Sequence, residues 1–227
     1  MEKSQYKKWL LLVTGGIASG KTTLSLNIAR NAANFIKTEA KPGERNTPGV
    51  ICLDKDSLCP LSDIIAPDRK SERFKELVRT PEYLITENYV IENLAYVDLG
   101  IINAPYTGEL REEANGGSKR LNALADGLHE KGIGLYVVCI DIDGDTAEKQ
   151  RLGRNNLRDI NMAAAYENGA KDVYSVPDLS GSANVDRFFI YRHSRAEEDF
   201  ISLISDLKKL FCCEIPGGTL PFEIMKT

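Results

Sequence analysis

Runs of consecutive apolar residues recur along the chain, and each has the length of a β-strand. Four of them cover residues 9–14, 50–54, 99–104 and 133–141, and a fifth candidate covers residues 187–191. Uninterrupted apolar runs are typical of strands that are covered on both faces, because a strand with one wet face alternates apolar and polar residues. The pattern therefore predicts five strands, most of them buried.

The segments between these runs carry the spacing of amphipathic helices. Helices are predicted over residues 21–35, 81–97, 118–131, 146–166 and 196–211. Ser118 is the predicted N-cap of the third of these helices. Strands that alternate with helices predict an α/β fold, in which a parallel sheet has helices on both faces. Ligands of such sheets bind at the carboxyl ends of the strands, so chemistry is expected there.

Length and charge narrow the class of protein. The 227 residues predict one domain over 1–227, with a C-terminal tail at about 212–227. The net charge of −4 disfavours a nucleic-acid surface that covers the whole chain. No apolar run approaches the roughly 18 residues that cross a bilayer. We therefore expect a cytoplasmic protein with no membrane contact.

The five cysteines and two histidines match no zinc-binding spacing. Cys52 and Cys139 lie inside apolar runs, which predicts that they fill the core. Neither His129 nor His193 has a matching ligand neighbour in the sequence. Structural zinc is therefore not expected.

One loop carries a specific chemical pattern. The sequence Gly-Gly-Ile-Ala-Ser-Gly-Lys-Thr follows the first strand, precedes the first helix and fits G-x-x-x-x-G-K-[ST]. Glycines let the main chain curl so that several N–H groups point into one concavity, and the helix adds its positive end. A tight turn that matches by coincidence is the alternative. The flanking strand and helix are the context that phosphate binding requires, and they favour a nucleotide site.

The pattern predicts a role for its residues. Lys21 supplies a point charge to the β- and γ-phosphates, and the Thr22 hydroxyl ligates Mg²⁺. The predicted cofactors are accordingly ATP and Mg²⁺. The residues expected to contact the nucleotide are Gly15, Gly16, Ile17, Ala18, Ser19, Gly20, Lys21, Thr22 and Thr23.

Other nucleotide-binding classes fit less well. A guanine-specific site usually carries N-K-x-D, which this sequence lacks. Residues 141–144 and 178–181 match the short D-x-x-G of GTPases, but four-residue matches are common by chance. The third strand ends near Asn103 rather than at an acid.

Two acids follow the second strand in the sequence Asp54-Lys-Asp56. An acid at this strand end would lie beside the phosphate loop, where it could accept the proton of an acceptor hydroxyl. The alternative is that an Asp caps a short helix at Ser57-Leu58. Asp56 is the favoured base, and Asp54 is the second candidate.

Four segments together resemble the zeta-toxin-like ATP-binding kinases, which are relatives of gluconate kinase and polynucleotide 5′-kinase. In chain order they are Gly-Gly-Ile-Ala-Ser-Gly-Lys-Thr-Thr, Leu-Asp-Lys-Asp-Ser-Leu, Asn-Ala-Pro-Tyr-Thr and Arg-Leu-Gly-Arg-Asn-Asn-Leu-Arg-Asp. The resemblance covers about residues 9–210. It implies a three-layer P-loop kinase fold with a five-stranded parallel sheet in the order 2-3-1-4-5 and a helical lid.

The resemblance also implies roles for individual residues. It places the base on Asp56 and a lid at about 146–166 that carries Arg151, Arg154 and Arg158. The spacing of these arginines puts them on one helical face, where Arg154 and Arg158 would contact the transferred phosphoryl group. A solvated face that pairs with Glu148 or Asp159 is the alternative. Asn103 departs from the family, and Asp54 or Asp56 would then complete the Mg²⁺ shell.

The acceptor is expected beyond the third strand, in the sequence Asn-Ala-Pro-Tyr-Thr. Candidate substrate contacts there are Asn103, Tyr106 and Thr107, and a plain turn is the alternative. The remaining candidates on neighbouring segments are Asp54, Arg79 and, less strongly, Glu87. By analogy with kinases of this kind, the adenine would lie near Arg192, His193 and Ser194.

Three functions fit these residues. The favoured one is a kinase that moves the γ-phosphate of ATP to a hydroxyl of a small molecule. A polynucleotide 5′-hydroxyl kinase is the second, which the acidic charge balance disfavours. The third is a non-catalytic nucleotide-binding or toxin-like regulatory module. The sequence identifies neither the acceptor nor the oligomeric state.

Overall fold

Five parallel strands form one sheet in the order β2-β3-β1-β4-β5. The computed structural model describes residues 6, 8–16, 18–36, 47–54, 85–104, 106–153, 176–193 and 197–211. The strands are β1 (Lys8–Thr14), β2 (Val50–Asp54), β3 (Leu99–Asn103), β4 (Ile133–Asp141) and β5 (Arg187–Arg192). The predicted α/β fold and strand order are confirmed.

Six α-helices are described alongside the sheet. They are α1 (Lys21–Arg30), α2 (Ile85–Asn93), α3 (Thr107–Ala114), α4 (Lys119–His129), α5 (Gly144–Gly153) and α6 (Glu197–Phe211). None of these described helices is long and apolar enough to cross a membrane. The part of the predicted lid beyond Gly153 and the predicted tail lie outside the described residues.

The central strand β1 is buried on both faces. Leu11 and Val13 pack into a core with α1 and α6, while Leu10 and Leu12 pack into a second core with α2, α3 and α4. All four side chains are at most 1 % exposed. Each fully buried side chain of this kind contributes about 1.5–3 kcal/mol. The sheet is therefore the middle layer of three, as its unbroken apolar runs predict.

The first helix is shorter than predicted. It ends at Arg30, and a 3-10 turn (Ala32–Asn34) follows in place of its last turn. The Asn31 side chain donates to the Asn27 carbonyl oxygen at 2.8 Å, and Asn34 donates to Asn31 at 3.3 Å. Side-chain amides that bond to nearby main chain compete with the helical ladder. The apolar spacing predicted a helix as far as residue 35 because Phe35, which lies beyond the break, still packs in the core.

Helix α3 occupies a segment for which the sequence predicted no helix, between the acceptor candidate at 103–107 and the loop at 115–118. It presents little apolar signal, since its buried positions include Leu110 and the charged Glu113, which is only 7 % exposed. A helix whose inward face carries a charge does not show the apolar spacing of an amphipathic helix. Its type is therefore visible only in the tertiary structure.

The Glu113 carboxylate joins three segments of the chain. One oxygen accepts the Ser118 N–H at 2.8 Å, and the other accepts the Ser182 hydroxyl at 2.7 Å and the Asn184 amide at 2.8 Å. Ser118 is the N-cap residue of α4, as predicted, but its hydroxyl donates to Glu112 at 3.2 Å rather than to the helix. These bonds fix α3 and the start of α4 against the segment before β5.

The hydrogen bonds shift the acidity of Glu113. Burial raises the pKa of its carboxyl group, but the bonds from Ser182, Ser118 and Asn184 outweigh burial and hold the pKa below its ordinary value. A carboxyl whose pKa is lower in the folded than in the unfolded protein stabilises the fold above about pH 4.3. That contribution is lost as the pH falls through the folded-state pKa.

We expect Glu113→Gln to lower the free energy of unfolding at pH 7 by about 1–3 kcal/mol. Ser118 and Ser182 donate to different oxygens of Glu113, and glutamine replaces one of these oxygens with a nitrogen that cannot accept. Urea unfolding at pH 7 and pH 4 measures this, and the difference from wild type should shrink at the lower pH. Glu112→Gln is the matched control, since Glu112 is exposed and accepts one long bond. Equal losses in both variants at pH 7 would contradict the role of Glu113.

Candidate active site at the carboxyl ends of the strands

The loop between β1 and α1 curls through backbone conformations that favour glycine. Gly15 and Gly20 have φ angles of 153° and 86°, and Ala18 has a φ of 58°. A Cβ atom on Gly15 would lie 2.8 Å from Ser19 Oγ and 3.1 Å from Ile140 Cβ. The Ser19 N–H donates to the Gly16 oxygen at 3.3 Å and closes the turn. This loop therefore requires glycine at its first position.

Lys21 begins α1 and folds back over the loop. Its ammonium group donates to the carbonyl oxygens of Gly15 at 3.2 Å and Gly16 at 2.9 Å. The first turn of a helix has N–H groups without intrahelical partners, and these carry partial positive charge. A cation and a helix N-terminus thus converge on one concavity, which suits an anion.

One hydrogen bond connects this helix to the second strand. The Thr22 hydroxyl donates to Asp54 Oδ2 at 2.9 Å. Strand register aligns Asp54 with Asn103 and Asn103 with Val13, so the ends of β2, β3 and β1 lie side by side. A carboxylate and a hydroxyl are oxygen ligands of the kind that Mg²⁺ takes. The predicted metal residue Thr22 and the second acid candidate are therefore brought together.

Solved structures share this arrangement of strands and helices. A proposed kinase from Chloroflexus aurantiacus matches with a TM-score of 0.56 at 15 % identity, over 90 % of this chain and 96 % of that chain. A sugar kinase from Janibacter sp. matches with a TM-score of 0.52 at 15 % identity, over 89 % and 95 % of the two chains. No protein-family model and no curated protein matches the sequence.

The chain has the P-loop kinase fold. A chain of the PezAT toxin–antitoxin system of Streptococcus pneumoniae is also similar, with a TM-score of 0.49 at 14 % identity over 93 % and 89 % of the two chains. That similarity is too low to distinguish one branch of the fold from another. The glycine loop that follows β1 is the P-loop of this fold, and its described residues connect the end of β1 to the start of α1.

The segment after β3 is pinned to the end of β1. The Tyr106 N–H donates to Thr14 Oγ1 at 3.1 Å, and both residues are at most 2 % exposed. The Arg120 guanidinium lies 5.2 Å from the centre of the Tyr106 ring and pairs with Glu109 at 2.7 Å. The main role visible for Tyr106 is packing, and its contact with an acceptor stays a prediction. Thr14 was not anticipated, although a polar residue that ends an apolar run is a usable signal.

His193 follows β5 and lies against the P-loop at Gly20. The main-chain N–H of His193 donates to the main-chain oxygen of Asp141 at 2.8 Å, which continues the pairing of β5 with β4. A Cβ atom on Gly20 would lie 3.5 Å from the His193 ring, and Gln150 of α5 contacts the His193 Nε2 at 3.2 Å. No local sequence pattern predicted a site role for Gln150. A residue after β5 and a residue of α5 therefore meet at the start of α1.

Several predicted site residues cannot be placed. Within the described helices, the side chains of Glu87, Thr107 and Arg151 are not described. The residues that lie outside the described part of the chain are Ile17, Asp56, Arg79, Arg154, Arg158 and Ser194. Their roles stay predictions.

The GTPase-like segments 141–144 and 178–181 each contain an aspartate with a local structural role. Asp143 Oδ1 accepts the Thr146 N–H at 2.8 Å at the start of α5, and its bonds to Thr146 lower the pKa of the carboxyl. Asp178 Oδ1 accepts the Ser180 N–H at 2.9 Å, which likewise lowers its pKa. These aspartates form a helix cap and a turn.

The two cysteines that the structure describes are not activated. Burial, followed by the nearby Asp54, raises the pKa of the Cys52 thiol to about 11. Burial and Asp141 raise the pKa of Cys139 to about 12. Both therefore remain protonated thiols near pH 7, as expected of residues that fill the core.

We expect Gly15→Ala to destabilise the P-loop by about 1–3 kcal/mol, because the new methyl group meets Ser19 and Ile140 and the backbone conformation disfavours a side chain. Thermal unfolding and binding of a fluorescent ATP analogue measure the effect. Gly108→Ala in α3 is the control, since a Cβ atom there has no atom within 4 Å and should be neutral or stabilising. The same behaviour in both variants would contradict the packing argument.

Proposed function

We propose that this chain is an ATP-dependent phosphotransferase that moves the γ-phosphate of ATP to a hydroxyl group of a small molecule. The observation that carries the proposal is the 2.9 Å hydrogen bond from the Thr22 hydroxyl to Asp54, beside a P-loop whose carbonyl oxygens hold Lys21. Together these groups offer oxygen ligands for a cation and positive charge for a phosphate chain. That combination suits a nucleoside triphosphate with bound Mg²⁺.

The residues present fit such a ligand. The glycine at position 15 keeps side-chain atoms out of the curl, where a Cβ atom would have contacts of 2.8 and 3.1 Å. Thr22 would hold Mg²⁺ through its hydroxyl oxygen. Asp54 orients that oxygen by accepting a hydrogen bond from the hydroxyl group. Bound Mg²⁺ would offset negative charge on the phosphate oxygens.

Lys21 has a direct role in this proposal. In the structure its ammonium group bonds to two loop carbonyl oxygens. Phosphate oxygens are stronger acceptors than neutral carbonyls, because bonds to a charged acceptor are about twice as strong. The same ammonium group can thus turn from the loop to the β- and γ-phosphates without a large movement. Lys21 and the N–H groups of the loop would then stabilise charge that develops during transfer.

The transfer itself needs a base. The acceptor oxygen forms a bond to the γ-phosphorus, the bond from that phosphorus to the β-phosphate oxygen breaks, and ADP leaves. The acceptor proton must pass to a carboxylate. Asp54 is engaged with Thr22, so we assign the proton to Asp56, two residues further along the chain. Asp54 then serves the metal site.

The remaining parts of the proposal complete the site. Arg154 and Arg158 follow α5 in the sequence and are proposed to close over the phosphoryl group as a lid. His193 beside Gly20 suits a position near the nucleotide, and its contact with Gln150 connects α5 to that position. A small-molecule acceptor is favoured over a polynucleotide because the chain carries a net charge of −4.

We expect different losses from the two acids. Asp56→Asn should lower kcat by about 10²–10⁴-fold with little change in ATP affinity, since it removes the base. Asp54→Asn should raise the Mg²⁺ concentration needed for half-maximal activity by about 10–100-fold, since a neutral amide orients Thr22 less well. Steady-state kinetics across Mg²⁺ concentrations, with calorimetry for ATP, separates the two effects. Unchanged turnover in Asp56→Asn would reject it as the base.

The test of the function is acceptor-dependent release of ADP. Pure protein is incubated with γ-labelled ATP, Mg²⁺ and a metabolite extract, and the labelled product is identified by chromatography and mass spectrometry. A labelled oligonucleotide with a 5′-hydroxyl is offered in parallel across salt concentrations. Phosphorylation of a small molecule is the expected result.

Lys21→Ala should abolish ATP binding or turnover, whereas Lys131→Ala should behave as wild type because Lys131 is exposed and precedes β4, at the end of the sheet away from the P-loop. Tight ATP binding without transfer to any hydroxyl would instead support a non-catalytic module. Unchanged affinity and rate in Lys21→Ala would overturn the nucleotide site itself.

A further inference from the structure

The hydroxyl group of Ser19 is buried in the P-loop and has no hydrogen-bond partner among the residues that the structure describes. Ser19 is 0 % exposed, and its hydroxyl oxygen is shielded from solvent. A buried hydroxyl that makes no hydrogen bond destabilises a fold, because it has lost its bonds to water and gained none in return. Such a group is understandable where a second state of the loop provides the missing partner.

Ser19 lies beside the two carbonyl groups that hold Lys21. Its main-chain N–H donates to the Gly16 oxygen at 3.3 Å, which is long for such a bond. A Cβ atom on Gly15 would lie 2.8 Å from the Ser19 hydroxyl oxygen, so the hydroxyl also packs against Gly15. Rotation about the Cα–Cβ bond moves the hydroxyl between staggered positions. A small change in the loop can therefore direct it to either carbonyl oxygen.

In the structure these two carbonyl oxygens already have a charged donor. The Lys21 ammonium group lies 3.2 Å from the Gly15 oxygen and 2.9 Å from the Gly16 oxygen. Under the proposed function, this ammonium group turns to the β- and γ-phosphates when ATP binds. Both carbonyl oxygens then lose the lysine donor, next to a hydroxyl group that has no acceptor.

We propose that Ser19 is a positioning residue that replaces Lys21 as the donor to the Gly15 or Gly16 carbonyl oxygen when ATP binds. The inference rests on the proposed function, since it begins with the movement of Lys21 to the phosphates. In the free protein, Lys21 holds the loop closed. In the complex, the Ser19 hydroxyl holds it closed, and the N–H groups of the loop stay directed at the phosphates.

This exchange of donors gives Ser19 opposite effects on the two states. The hydroxyl destabilises the free protein, where it has no acceptor, and stabilises the complex, where it donates. A group that favours the bound over the free conformation raises the affinity for the ligand. A side chain that only filled space in the loop would affect both states alike, so the two roles are distinguishable.

Ser25 in α1 provides a matched control. It is also 0 % exposed, and within the described part of the chain its hydroxyl likewise lacks a hydrogen-bond partner. It lies one helical turn beyond Lys21 rather than in the loop. Removal of its hydroxyl should therefore stabilise the free protein and the complex equally.

Calorimetry on the purified protein provides the first test. Ser19→Ala should raise the melting temperature of the free protein by about 2–4 °C and weaken the binding of ATP with Mg²⁺ by about tenfold. Ser25→Ala should raise the melting temperature at least as much and leave ATP affinity unchanged. Equal ATP affinity in Ser19→Ala and wild type would overturn this inference and leave the proposed function intact. Failure of the wild-type protein to bind ATP would overturn both.

A second test needs no nucleotide. Lys21→Ala removes the charged donor from the loop carbonyl oxygens in the free protein, so the Ser19 hydroxyl should donate to them there. Adding Ser19→Ala to Lys21→Ala should then lower the melting temperature by about 2–4 °C instead of raising it. Adding Ser25→Ala should raise it in both backgrounds.

The sign of the Ser19→Ala shift decides between two roles for the hydroxyl. A hydroxyl that contacted phosphate directly would weaken ATP binding on removal, but its effect on the melting temperature would have the same sign with and without Lys21. That result would overturn the exchange of donors.

Discussion

The whole structure depends on the placement of β1 at the centre of the sheet. Its main chain bonds to β3 on one side and β4 on the other, and four successive side chains are buried on both faces. A strand held in this way cannot shift by one residue without moving apolar side chains to the wrong face. The point at which it ends, Thr14, is therefore fixed, and so is the start of the P-loop.

Because the strands are parallel, their carboxyl ends collect polar groups along one edge. Asp54 reaches Thr22 from β2, Thr14 receives the Tyr106 N–H, and His193 lies against Gly20 from β5. Each of these contacts joins residues that are remote in sequence. The concavity of the P-loop is thus surrounded by groups from three strands, and the rigidity of the sheet determines how well they are aligned.

The outer edge of the sheet follows a different principle. β5 has a neighbouring described strand on one side alone, and its residues and those of α6 line a hollow that carries both Arg192 and the two aspartates Asp199 and Asp206. Arg192 lines this hollow and directly precedes His193, so the edge of the sheet adjoins the carboxyl ends of the strands.

The sequence alone determined the elements whose signals are local. Long apolar runs predicted the strands, and glycines followed by Lys21 and Thr22 predicted the phosphate loop, because backbone freedom and side-chain charge act within a few residues. The resemblance supplied the strand order. The tertiary fold brings Asp54 into contact with Thr22 and buries Glu113 of α3, a helix that the sequence did not predict. It also brings His193 beside Gly20 and Gln150. Only the tertiary structure could decide these, since no local pattern records which side chains meet when strands far apart in the chain become neighbours.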